Sequence, residues 1–98
     1  MALMHLTIIP LGTDSPSLGP YVADILRILQ QEGLAFKLTD MGTIVEGDTA
    51  KLLSLAARLH EEPFTHGVKR VCTQISIDDR RDKKVAIGDK INSVQALL

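Results

Sequence analysis

The chain has 98 residues, a size that fits one small unit with a modest core, and its net charge of −1 leaves no basic footprint for a nucleic-acid backbone. Hydrophobic residues make up 45% and charged residues 23%, ordinary for a globular protein, while aromatics are only 3%, so the core must be aliphatic. No run of about 18 uninterrupted apolar residues exists to cross a membrane and the N-terminus lacks signal-peptide character. The single cysteine, Cys72, cannot form an internal disulfide and suits a reducing, cytoplasmic setting.

Taken in order, Leu3 to Ile9 alternates, with Met4, Leu6 and Ile8 on one side and His5, Thr7 and Ile9 on the other, the period of a strand. Pro10–Pro16 is a loop by its density of turn formers. From Ser17, a candidate N-cap, the residues Leu18, Val22, Ile25, Leu26 and Leu29 recur at helical spacing until Gly33 ends the helix. Leu34–Thr39 and Thr43–Glu46 read as strands joined by a tight turn at Asp40-Met41-Gly42. Asp48 or Thr49 then starts a second helix with the stripe Leu52, Leu55, Ala56 and Leu59, which Pro63 forbids from continuing. Val68–Asp78 is a longer alternating strand, with Val71, Thr73, Ile75 and Ile77 opposed to Cys72, Gln74 and Ser76. Ile87, Ile91, Val94 and Leu98 mark a short amphipathic C-terminal helix that is marginal without a partner surface.

This order, βαββαβ plus a tail, predicts an α+β, ferredoxin-like antiparallel sheet over residues 1–98, with two helices on one face. In that topology the Pro10–Ser17 loop, the Asp40–Thr43 turn and the loop at His66-Gly67 emerge at one end of the sheet. Glu46-Gly47-Asp48 and Asp78-Asp79-Arg80 meet at the other. The second sheet face, with His5, Thr7, Ile9, Cys72, Gln74 and Ser76, is either simply exposed or covered by another subunit.

No catalytic constellation can be assembled. His5, His60 and His66 lie in different elements without the spacing of a zinc site, so no metal ligand is assigned. Gly12-Thr13-Asp14-Ser15 lacks the Gly-Lys-Ser/Thr ending of a phosphate-binding loop, and Cys72 has no neighbouring base. Asp78–Lys83 reads as a salt-bridged turn or as an anchor for an anion through Arg80. Thr13, Ser17 and Thr43, with Tyr21 near them, offer hydroxyls that can orient a small polar heterocycle but no acid–base pair.

Three stretches, Pro10-Leu11-Gly12-Thr13, then Met41-Gly42-Thr43-Ile44-Val45-Glu46-Gly47, then Arg70 to Lys83 with its Ile-Asp-Asp-Arg run, resemble in order and spacing the small thiamine-binding, YkoF-like proteins. The resemblance covers nearly the whole chain. It implies a ferredoxin-like fold, assembly into homo-oligomers (dimers or tetramers) through sheet faces and edges, and binding of thiamine or its hydroxymethyl-pyrimidine moiety, with no catalysis and no required cofactor. Carried over by residue, it implies a ligand site at Pro10, Gly12, Thr13, Ser17, Met41, Gly42, Thr43 and Glu46. Backbone groups of Met41-Gly42 would bond the heterocycle, and Met41 and Ile9 would stack on it. A different class of function, a structural or regulatory module that binds a protein partner through the sheet face and tail helix, is the alternative.

Overall fold

The computed structural model describes residues Met1–Leu98. Its elements are β1 (Ala2–Leu11), α1 (Gly19–Glu32), β2 (Phe36–Leu38), β3 (Thr43–Gly47), α2 (Thr49–Glu61), a 3₁₀ turn at Glu62–His66, β4 (Arg70–Asp79) and α3 (Asp89–Gln95). The four strands form one antiparallel sheet in the order β2-β3-β1-β4, which is the ferredoxin-like arrangement expected from the alternation of strand and helix periods.

The core is aliphatic and lies between the sheet and the two long helices. Ala2, Met4, Leu6 and Ile8 of β1 and Val45 of β3 meet Ile25, Ile28 and Leu29 of α1 and Leu52, Leu55, Ala56 and Leu59 of α2. Every residue of the α2 stripe read from the sequence is buried. Gly33 ends α1 in the left-handed region at φ 69°, with its N–H donating to the Gln30 carbonyl, the expected glycine stop.

Several boundaries differ from expectation. β1 does not stop at Ile9: Pro10 and Leu11 stay extended because β4 continues to pair them, opposite Val71 and Arg70. A proline is tolerated there because β1 loses its β3 neighbour beyond Leu6, which leaves one edge without a ladder. Ser17 is not the N-cap of α1. Leu18 occupies that position without a side-chain cap, and Ser17 instead donates its backbone N–H to the Ser15 hydroxyl at 3.1 Å. β2 shrinks from six residues to Phe36–Leu38, since an edge strand pairs on one side only. α3 forms, but none of its residues is buried, and Ile91 and Val94 are about half exposed.

The sheet face away from α1 and α2 carries cross-strand neighbours His5 and Ser76, Thr7 and Gln74, and Ile9 and Cys72, as the alternation requires. The C-terminal segment is tied to the far end of the chain's sheet: the Ile87 N–H donates to Glu46 Oε1 at 2.9 Å and Lys90 Nζ lies 3.1 Å from Asp78 Oδ2.

Candidate functional site

β1 outruns β3 by five residues, and this difference in length creates the site. Past Leu6 the free edge of β1 is bridged by the β2–β3 turn and the start of α1. A cleft of about 310 Å³ remains between them. Its walls are mostly apolar: Leu6 and Ile8 from the core side of β1, Thr7 and Ile9 from its open side, Leu18, Val22 and Ile25 from α1, and the turn Leu38–Thr43 as the rim.

The turn is held by one hydroxyl. Thr39 Oγ1 donates to the Gly42 carbonyl at 2.8 Å and accepts from the N–H groups of Gly42 at 3.2 Å and Met41 at 3.3 Å, while the Thr39 N–H also reaches the Gly42 carbonyl at 2.8 Å. This short-range pattern is the Ser/Thr-turn chemistry that competes with regular pairing. It uses the Met41 and Gly42 amides inside the turn, so the role left to this stretch in recognition is shape and apolar contact. Thr39 was not among the residues singled out from sequence; its signal there was a threonine three residues before a turn glycine.

Gly42 is required by space. A Cβ there would stand 2.6 Å from His5 Nε2 and 2.8 Å from Thr7 Cγ2, so only glycine lets the turn lie this low over the open sheet face. Met41 beside it is 81% exposed at the rim, an apolar side chain with nothing in this chain to cover it. Thr43 is buried, opposite Leu6. Within the cleft wall, Thr7 Oγ1 is buried and has no hydrogen-bond partner. Leaving such a group unmade costs about 1–3 kcal/mol, so its persistence asks for an explanation.

The residues grouped by resemblance are not brought to one place. Met41, Gly42 and Thr43 line this cleft. Thr13 and Ser17 line a second one, of about 410 Å³, with Asp14, Tyr21, Asp24 and His66 on the other side of the α1 start. Thr13 Oγ1 donates to the Ser15 carbonyl at 2.7 Å. Pro10 is buried and Gly12, at φ 75°, turns the chain out of β1; neither lines either of these two clefts. Glu46 stands at the opposite end of β3, where it accepts the Ile87 amide.

At that opposite end lies a third, polar cleft of about 450 Å³ between Asp48-Thr49 and Asp79–Lys84. Arg80 binds Asp82 through two bonds of 2.6 and 2.8 Å, and Asp79 Oδ2 accepts from Arg81 at 2.9 Å and from the Thr49 hydroxyl at 2.9 Å. The Arg81 guanidinium, and after it the Thr49 hydroxyl, hold the Asp79 carboxyl below its ordinary value; Arg80 does the same for Asp82. Both arginines are raised in turn by these hydrogen bonds. The salt-bridged turn is thus present.

A small ferredoxin-like protein with an apolar cleft at the free edge of β1 is the class that the fold and this geometry define. The chain belongs to the thiamine-binding protein family, whose model matches residues 4–95. It is 48% identical over 98 residues to the UPF0045 protein YqgV of Bacillus subtilis, covering 96% of this chain and 94% of the relative. A UPF0045 protein of Methanothermobacter thermautotrophicus is 38% identical over 96 residues, with 97% of each chain covered. Among solved structures, a protein of Methanocaldococcus jannaschii described as hypothetical superposes with a TM-score of 0.84 at 29% identity, over 96% of this chain and 95% of that one. A Thermotoga maritima protein shares the fold at a TM-score of 0.76 and 16% identity, over 95% of this chain and 97% of its own. No helix is long and apolar enough to cross a membrane.

Proposed function

We propose that the cleft between β1, α1 and the Leu38–Thr43 turn binds thiamine or its hydroxymethyl-pyrimidine moiety, and that the protein is a cytosolic carrier or buffer of this ligand without catalysis. The observation that carries the reading is the buried, unpartnered Thr7 hydroxyl in the wall of a mostly apolar cleft, a donor and acceptor the fold leaves unused where a flat heterocycle can slide between Ile9 and Met41. Family membership points the same way. So does the description of the Thermotoga maritima neighbour as a candidate thiamine biosynthesis/salvage protein. Isothermal titration of the wild type with thiamine and with hydroxymethyl-pyrimidine tests it: heat with at least one ligand, reduced in Thr7→Val and in Thr43→Val, is expected. Absence of heat with both at millimolar concentration sinks it.

One observation favours assembly alongside binding. Ile91 and Val94 of a seven-residue helix that cannot be stable by itself, and Leu97 and Leu98 just after it, are all more than half exposed. We propose that a second copy of the chain covers this stripe and the neighbouring open sheet face, giving a dimer or tetramer. Sedimentation equilibrium checks the assembly; a monomer at tens of micromolar removes it. A heterologous protein partner on the same surface, the regulatory-module alternative, would appear as one stoichiometric partner in a pull-down of a protein that binds neither ligand.

A further inference from the structure

The second cleft, on the far side of the α1 start, is lined by Asp24 and His66, and with the adjacent Glu62 these form a group of side chains that the heterocycle reading does not use. Asp24 projects from α1, while Glu62 and His66 lie one turn apart on the 3₁₀ segment. One ligating atom from each lies within 4.8 Å of the others. His66 Nε2 is 3.0 Å from Asp24 Oδ2 and 3.9 Å from Glu62 Oε1. Only the first of these distances suits a direct hydrogen bond; the second is too long for one.

We propose that Asp24, Glu62 and His66 form a site for a divalent first-row transition cation. Two carboxylates match the charge of such an ion, and one imidazole nitrogen favours it over calcium or magnesium, which take oxygen donors. Ligand bonds of about 2.1 Å place neighbouring donor atoms about 3.0–3.4 Å apart. The Asp24–His66 spacing already meets this, and a small rotation of the part-exposed Glu62 side chain closes the other gap.

The surroundings hold the ligands in place without filling the centre. Arg27 engages the other oxygen of Asp24, Oδ1, which leaves Oδ2 turned to His66. The Tyr21 ring stands edge-on to the His66 ring, at 6.0 Å and 89°, and Gly67 in the left-handed region (φ 85°) ends the 3₁₀ turn directly after it. The Glu62 carbonyl accepts the Thr65 hydroxyl at 2.6 Å, which tightens the turn that carries both Glu62 and His66. The three side chains are 20%, 31% and 49% exposed, so the remaining coordination positions open onto the cleft shared with Thr13, Asp14 and Ser17. Water or a small oxygen ligand can complete the shell there. An exposed His–Asp ion pair alone would contribute little, and it gives Glu62 no part.

The site is independent of the heterocycle cleft, so failure of one reading leaves the other standing. The test is titration of the metal-free protein with Co²⁺, followed by visible absorption, and with Zn²⁺ by calorimetry. One equivalent per chain is expected. Because loss of even an outer-shell partner typically weakens metal affinity about 10–100-fold, His66→Ala and Glu62→Gln should each weaken it at least tenfold. Cys72→Ser should bind as the wild type does, since the exposed thiol lies on the open sheet face. Bound cation should raise the melting temperature of the wild type and not that of His66→Ala, because the ion joins α1 to the 3₁₀ turn. Undiminished binding by His66→Ala, an effect of Glu62→Gln no larger than that of Cys72→Ser, or no binding by the wild type at millimolar Co²⁺ and Zn²⁺ overturns the proposal.

Discussion

The two ends of the sheet treat their polar groups in opposite ways. At the far end the larger cleft is crowded with charge, yet both of its arginines and Asp79 are paired, Arg80 with Asp82 and Arg81 and Thr49 with Asp79, and beside it Lys90 holds Asp78 and Glu46 holds the Ile87 amide. In the heterocycle cleft at the near end Asp40 is the one charged lining residue, but a hydroxyl is buried unpaired and a methionine is exposed on a turn tip. Size and charge of a cleft are therefore poor guides here. What distinguishes a place for a ligand is chemistry left unfinished by the fold.

The comparison breaks most easily at Gly42. A Val at this position drives a branched side chain into His5 and Thr7, and overpacking of this kind costs about 1–3 kcal/mol. Gly42→Val should lower the urea midpoint and abolish ligand heat together, whereas a variant at the far end should leave ligand heat alone. Thr7→Val sharpens the contrast, since it removes an unsatisfied group while keeping the shape of the side chain. Stability in urea should hold or rise by up to about 1 kcal/mol while affinity for hydroxymethyl-pyrimidine falls; a clear loss of stability would mean that the hydroxyl has a partner in the folded protein.

At the far end the expected effects are smaller. Glu46→Ala removes a charged acceptor from the Ile87 amide, a loss of about 1 kcal/mol, and should speed hydrogen exchange at that amide without changing ligand binding. Asp79→Asn should change stability least, because the Asp79–Arg81 pair is open to solvent. A depressed carboxylate stabilises the fold at pH values above its unfolded pKa, and that contribution is lost as pH falls through the lower folded value. The stability difference between Asp79→Asn and wild type should accordingly be present at pH 7, begin to shrink below the ordinary value of 3.8 and vanish only below the lower folded value, seen as converging urea midpoints.

Much of the architecture was legible in local pattern. Alternation along Leu3–Ile9 and the 3.6-residue stripe of α2 state which side of each element is buried, and the antiparallel sheet with both helices on one face follows from their order. The resemblance of Pro10–Thr13, Met41–Gly47 and Arg70–Lys83 to thiamine-binding proteins placed the chain in its family. What local pattern did not contain was the distance between side chains on different elements. Thr13 and Ser17 belong with Asp24 and His66 because α1 begins between their loop and the Met41–Thr43 turn; Glu46 belongs with Ile87 because one extended strand carries it away from Gly42.

The sequence by itself determined the period, and hence the buried face, of each long element, since burial of an apolar stripe is a property of one segment and its spacing. Only the tertiary structure decided that β1 outruns β3, that Thr39 closes the turn over His5 and Thr7, that Thr7 Oγ1 is left alone, and that Asp24 meets Glu62 and His66. Each of these depends on where two segments distant in sequence stop and cross, and that is set by the packing of the whole core.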